Sequence, residues 1–155
     1  MSELKVGSRA PAFSALDQDG NTIHLKDFLG KKVLLFFYPR DMTPGCTTEA
    51  CSFRDNLELF TKLGVVVLGI SPDDPKSHTK FIEKHALNYS LVADVDKKIS
   101  NSYQVWIEKS MYGKKYMGVE RSTFLIDPQG KIAKVFRKVK PEAHVAEVLS
   151  ALKGG

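Results

Sequence analysis

Two segments of the chain are apolar without interruption: Val33-Leu34-Leu35-Phe36-Phe37-Tyr38 and Val65-Val66-Val67-Leu68-Gly69-Ile70. Such runs, rich in β-branched and aromatic residues and lacking polar alternation, mark strands covered on both faces, so they predict a central, partly parallel sheet with helices packed on it. Between them Phe53, Leu57, Phe60 and Leu63 recur at spacings of four and three, and residues 46–63 read as one amphipathic helix ended by Gly64. Strand, helix, strand in that order implies a right-handed crossover.

Further along, Ser71-Pro72-Asp73-Asp74-Pro75 has the residues of a turn and helix start, and residues 76–85, with Phe81 and Ile82, form the next helix. A short strand is expected at 91–93 and a short helix within 94–103. Residues 106–119, rich in Lys, Gly and Tyr, read as a long irregular connection of the kind that often carries function. The apolar runs on either side of Asp127-Pro128-Gln129-Gly130 predict a β-hairpin over 123–136. Pro141 opens a last helix with Val145, Val148, Leu149 and Leu152 on one face. Near the N-terminus Phe13, the turn Asp19-Gly20-Asn21 and Ile23 predict a smaller hairpin. No internal repeat or low-complexity tract interrupts the pattern.

A chain of 155 residues that is 43% hydrophobic can bury one sizeable core, and one domain over residues 1–155 is expected. The 23 Lys and Arg against 18 Asp and Glu leave a formal charge of +5. The basic residues are spread as doublets, with Arg137, Lys138 and Lys140 the densest group, and carboxylates lie among them. That is a solvated basic surface able to steer anions, with no aromatic-basic motif for nucleic acid. Residues 1–11 hold Lys5 and Arg9 but no apolar signal core, and the longest apolar runs are too short to span a bilayer; a cytoplasmic protein without membrane contact is expected. His24, His78, His85 and His144 lack ligand spacing, and no Gly-rich phosphate or dinucleotide loop occurs, so neither metal nor bound cofactor is expected.

The chemistry concentrates in the only two cysteines, Cys46 and Cys51, within Tyr38-Pro39-Arg40-Asp41-Met42-Thr43-Pro44-Gly45-Cys46-Thr47-Thr48-Glu49-Ala50-Cys51. Cys46 falls at a helix start, where unpaired N–H groups and the positive dipole end stabilise a thiolate. Residues five apart on an ideal helix have Cα atoms about 8.6 Å from one another, whereas a disulfide needs less than about 7 Å. The pair can bridge only if the helix unwinds, by one or two turns over roughly residues 46–54. In a reducing compartment this reads as a redox pair with a conformational step.

Pro39-x-x-x-Thr43-x-x-Cys46, followed far downstream by Glu120-Arg121-Ser122-Thr123-Phe124-Leu125-Ile126-Asp127, resembles the active-site signature of the peroxiredoxins. Cys46 and Cys51 on one helix resemble the bacterioferritin comigratory protein group, also called PrxQ. The resemblance covers nearly the whole chain. It implies an α/β thioredoxin-like fold, a central mixed sheet flanked by helices with an N-terminal β-hairpin extension. It also implies a monomeric thiol peroxidase for hydrogen peroxide and organic hydroperoxides. Cys46 would be the peroxidatic thiol and Cys51 the resolving thiol. Arg121, the Thr43 hydroxyl and the Cys46 backbone N–H would contact the peroxide, and Pro39 would shield the thiolate. Thioredoxin or a similar dithiol would reduce the resulting disulfide. An ordinary thiol is already about a fourteenth thiolate near pH 7.4, so complete ionisation gains only about tenfold; the larger share of catalysis must come from polarising the O–O bond.

Apart from the resemblance, Thr43 is a plausible N-cap, Pro39 a strand terminator and Arg121 a strand-end charge. Glu49 either complements the helix dipole or, as in the family, orients the arginine. Trp106 and Tyr38 read as packing residues. A thioredoxin-like disulfide exchanger would use Cys-x-x-Cys, a spacing absent here, and a holdase or nucleic-acid binder would survive the loss of Cys46.

Overall fold

The computed structural model describes residues 4–154. In chain order the elements are β1 (Ser14–Asp17), β2 (Thr22–His24), a 3-10 turn (Leu25–Phe28), β3 (Lys32–Phe37), α1 (Pro44–Asp55), α2 (Leu57–Lys62), β4 (Val65–Ser71), α3 (Pro75–His85), β5 (Ser90–Ala93), α4 (Lys98–Ser102), β6 (Trp106–Met111), β7 (Lys114–Val119), β8 (Ser122–Ile126), β9 (Ile132–Phe136) and α5 (His144–Gly154). Seven strands form one mixed sheet in the order β2-β1-β5-β4-β3-β8-β9. The two apolar runs are its centre: β3 pairs parallel with β4, and β4 parallel with β5, while β8 returns antiparallel beside β3. The central mixed sheet flanked by helices has the expected thioredoxin-like arrangement, with β1 and β2 as the N-terminal hairpin.

Alternate residues of β3, together with Tyr38 just beyond it, feed two cores. Leu34, Phe36 and Tyr38 pack with Cys46, Phe53, Phe60, Phe81 and Val148 from the helices on one face. Val33, Leu35 and Phe37 pack with Ile99, Tyr103 and Phe124 on the other. That double coverage explains why the strand shows no polar alternation.

Three expectations need correction. The helix expected over 46–63 breaks at Asn56, whose side chain donates to the Ser52 carbonyl at 2.8 Å, a local bond that competes with helix continuation. The break lets Phe53 and Phe60, both fully buried, meet with ring centroids 5.6 Å apart. Residues 106–119 are not irregular: β6 and β7 form a separate antiparallel hairpin, paired from Trp106↔Val119 to Met111↔Lys114. Its two turn residues, Tyr112 and Gly113, both have positive φ, which suits a two-residue hairpin turn. The last helix begins at His144, three residues after Pro141.

Candidate active site

The register of two strands brings the distant parts of the signature together. Phe37, the last residue of β3, pairs with Ser122, the first of β8. Arg121 therefore stands beside the point where Tyr38 and Pro39 leave the sheet for α1. The connecting loop is anchored by buried Asp41, which accepts from the Tyr38 hydroxyl at 2.6 Å and from the Ser77 hydroxyl at 2.8 Å. Burial, reinforced by the Asp41 charge, pushes the Tyr38 hydroxyl pKa well up and keeps it a donor. Asp41 Oδ2 also lies 2.8 Å from His78 Nδ1. Because His78 Nε2 faces the Val92 carbonyl at 3.0 Å, that nitrogen carries a hydrogen. Asp41, Asp73 and His78 offer ligand atoms within 4.8 Å of one another. Those atoms are occupied by this network: Asp73 Oδ2 accepts from the Asp41 N–H and the Ser71 hydroxyl. The next residue, Met42, is held at φ 67, a conformation that a non-glycine residue keeps only when its surroundings fix it.

Pro44 occupies the first turn of α1, and its missing N–H is no loss there. The Thr47 N–H makes the first helical bond, to the Thr43 carbonyl at 2.8 Å, so the N–H groups of Gly45 and Cys46 belong to the unsatisfied end of the helix. Thr43 stands at the N-cap position but does not cap with its side chain. Its hydroxyl donates instead to the Arg40 carbonyl at 3.0 Å, which leaves the oxygen's lone pairs free. Pro39 is half-buried at the head of the loop.

Cys46 is 1% exposed, and Arg121 Nη2 donates to its sulfur at 3.3 Å. The other guanidinium arm, Nη1, bonds Glu49 Oε1 at 2.8 Å. Gly45 permits this approach, since a Cβ there would lie 3.2 Å from Nη2. Burial alone would lower the arginine pKa, but the Glu49 and Cys46 charges together raise it, so the cation is secure. Glu49 is fully buried, and burial outweighs the attraction of Arg121, pushing its carboxyl up to about 7. Its second oxygen, Oε2, has no partner among the described residues. Glu49 thus sits in the first turns of α1 with its carboxyl bonded to the arginine that contacts Cys46.

Cys51 lies on the same regular helix, half-buried, and both thiols are free. Five residues correspond to a rotation of about 140° and a separation of about 8.6 Å, so the two sulfurs lie on different faces of an intact α1. The stretch between them is held by polar contacts more than by apolar packing. Its buried side chains, Cys46, Glu49 and Ala50, are small or polar, whereas Phe53 stacks on Phe36 at 4.5 Å. The Tyr89 hydroxyl donates to the Ala50 carbonyl at 2.7 Å.

Sequence reasoning missed two supports. His144 is buried, with Nε2 2.6 Å from Thr123 Oγ1 and Nδ1 3.0 Å from Glu147 Oε1. Burial, opposed by Glu147, lowers its pKa, so it stands neutral beside the Arg121 cation. The Asp41 hub was also missed; a carboxylate in a Pro-Arg-Asp-Met loop carries no signal that it is buried.

A family model described as the AhpC/TSA family matches residues 6–135. The chain is 49% identical over 150 residues to Peroxiredoxin Bcp of Bacillus subtilis, covering 97% of this chain and 96% of the relative. It is also 49% identical over 153 residues to Peroxiredoxin Bcp of Escherichia coli K12, covering 99% and 98%. Among solved structures, Xanthomonas campestris Peroxiredoxin Q aligns with a TM-score of 0.90 at 39% identity, covering 96% of this chain and 97% of the other. Xylella fastidiosa PrxQ aligns with a TM-score of 0.93 at 35% identity, covering 99% and 98%.

Proposed function

The chain belongs to the AhpC/TSA family and is a thiol-dependent peroxidase of the Bcp/PrxQ peroxiredoxin group, and from that premise we propose that Cys46 attacks the peroxide and Cys51 resolves the product. The observation that carries this assignment is the pairing of one guanidinium with both the Cys46 sulfur and a buried carboxylate. Arg121 holds the thiolate in the resting site and meets the peroxide oxygens as it arrives. The first-turn N–H groups of Gly45 and Cys46 are further donors for the oxygen that gains charge as the O–O bond breaks. Thr43, whose own hydrogen is given to Arg40, accepts the hydrogen of the peroxide, and Pro39 limits water around the sulfur.

The cycle balances as follows. The Cys46 thiolate takes the terminal OH of ROOH, forming an S–O bond and a sulfenic acid, while the O–O bond breaks and RO⁻ leaves to take a proton. After α1 unwinds, the Cys51 thiol attacks the Cys46 sulfur, forming the disulfide and releasing water. A dithiol then exchanges with the disulfide and restores both thiols. Hydroperoxide and thiol reductant are the partners of the family; thioredoxin, or a dithiol protein like it, is proposed as the reductant. Both sulfurs lie on one helix, so the chemistry closes within a single chain, in keeping with a monomer. No helix among the described residues is long and apolar enough to cross a membrane. A reversible disulfide fits a reducing cytoplasm.

The test is peroxide consumption coupled to thioredoxin, thioredoxin reductase and reduced nicotinamide. Cys46→Ser should fall to background, because a hydroxyl there is neither ionised nor comparably nucleophilic. Turnover persisting in that variant would overturn the assignment.

A further inference from the structure

The peptide group that joins Ala50 to Cys51 is held from outside its own helix. The Tyr89 hydroxyl donates to the Ala50 carbonyl at 2.7 Å. In a regular helix that carbonyl also receives the N–H four residues on, and its oxygen has a lone pair for each donor. Tyr89 stands at the end of the segment leading from α3 to β5, and its ring meets that of Phe36 in β3 edge-on, with centroids 5.8 Å apart. The hydroxyl is therefore placed by the sheet core. Burial first, then the charges of Glu49 and Cys51, push its pKa well up, so it stays a donor.

The same segment grips α1 again past Cys51. Arg54 Nη1 donates to the His85 carbonyl, and Asn88 Nδ2 to the Arg54 carbonyl at 3.3 Å. These bonds lie beyond Phe53, whose ring is stacked on Phe36, on the part of α1 expected to stay folded. The bond from Tyr89 lies on the other side of Phe53, between the two thiols. When residues 47–52 unwind, the peptide group before Cys51 must turn out of the helix, and its carbonyl leaves the hydroxyl.

We propose that Tyr89 is a positioning residue for the resolving step: its hydroxyl latches the Ala50–Cys51 peptide into the helix, and release of that bond is part of the motion that carries the Cys51 sulfur to Cys46. This rests on Cys46 as the attacking thiol and Cys51 as the resolving one. In that step the Cys51 sulfur forms the S–S bond to the Cys46 sulfenic acid, the S–O bond breaks and water leaves. Tyr89 takes no part in the exchange and sets only how often Cys51 is presented to it.

Reduced protein mixed rapidly with one equivalent of hydrogen peroxide, quenched at intervals into a dimedone-type probe and read by intact mass, separates formation of the sulfenic acid from its conversion to the disulfide. Tyr89→Phe removes the hydroxyl and keeps the ring on Phe36. The variant should form the disulfide faster by about the fivefold that one hydrogen bond of ordinary net worth represents, while its sulfenic acid forms at the parent rate. Asn88→Ala, which loosens the same segment but frees only a carbonyl beyond Phe53, should leave both steps at the parent rate. An unchanged or slower disulfide step in Tyr89→Phe, a parallel change in its peroxide step, or equal acceleration in Asn88→Ala would each overturn the latch. If Cys51→Ser loses its sulfenic acid as fast as the parent, Cys51 is not the resolving thiol and the underlying reading fails instead.

Discussion

Replacing Glu49 with glutamine should remove a loss of stability that the parent suffers as pH rises from 5 to 8. The carboxyl is fully buried, bonded through Oε1 to Arg121 at 2.8 Å and unpartnered at Oε2, and its pKa rises from 4.5 to about 7. A carboxyl raised on folding contributes stability that is present below 4.5 and lost as pH rises through about 7. Linkage gives a penalty of about 1 kcal/mol at pH 5 and about 3 kcal/mol at pH 8, a change of about 2 kcal/mol. Glutamine keeps the shape and an acceptor for Arg121 but cannot ionise. Any fixed cost of the substitution is the same at both pH values. Groups common to both proteins, including His144, whose lowered pKa works in the opposite sense, cancel in the difference. Urea unfolding of the reduced proteins at pH 5 and pH 8 measures it. The stability of the variant relative to the parent should increase by about 2 kcal/mol between the two. Parallel pH dependences would mean that Arg121 keeps Glu49 ionised throughout, and the reasoning from burial would be refuted.

Arg121→Ala should slow the peroxide step by on the order of a hundredfold or more, even at pH 9 where an ordinary thiol is largely ionised; equal rapid-mixing rates there would reduce the arginine to holding the thiolate. Cys51→Ser should react once with peroxide and accumulate a sulfenic acid that a dimedone-type probe captures, then fail to cycle with thioredoxin; turnover at the parent rate would point to another resolving route. Oxidation should abolish amide-exchange protection over residues 47–52 and leave β3 and β4 protected. The loss should stop at Phe53, which is stacked on Phe36 and costs far more to expose than Cys46 or Ala50. A disulfide-bonded protein that keeps the first two turns of α1 protected would contradict the unwinding step.

The parts of this molecule that were legible in the sequence are those where one physical demand dominates locally. Burial on both faces wrote β3 and β4 as unbroken apolar runs, and the turn residues around Asp127 wrote the β8–β9 hairpin. The β6–β7 hairpin was opaque because it buries little: Lys109, Lys114, Lys115, Tyr116 and Met117 face solvent wholly or in part, so no alternation marks the strands. The break at Asn56 was hidden because Phe53, Leu57 and Phe60 keep helical spacing across it, and only the bond from Asn56 back to Ser52 interrupts the helix. The unwinding expected to residue 54 is predicted to stop earlier for a similar reason, since the ring of Phe53 is pinned by partners that no local pattern reveals. In the site, Pro39, Thr43, Cys46, Glu49 and Cys51 share one short segment and could be read together. Arg121 came only through resemblance, because its approach to Cys46 depends on the antiparallel register of β8 against β3. The Asp41–His78 contact depends on tertiary packing in the same way, without a contiguous motif to announce it.

Mass analysis of the reduced protein treated with one equivalent of hydrogen peroxide, followed by proteolysis without reductant, asks whether Cys46 and Cys51 complete the chemistry within one chain. The expected product is a monomer lighter by two hydrogens, in which a single disulfide joins Cys46 to Cys51 and no sulfenic acid persists. A disulfide between two chains, or a stable oxidised Cys46 beside an unmodified Cys51 thiol, would contradict it.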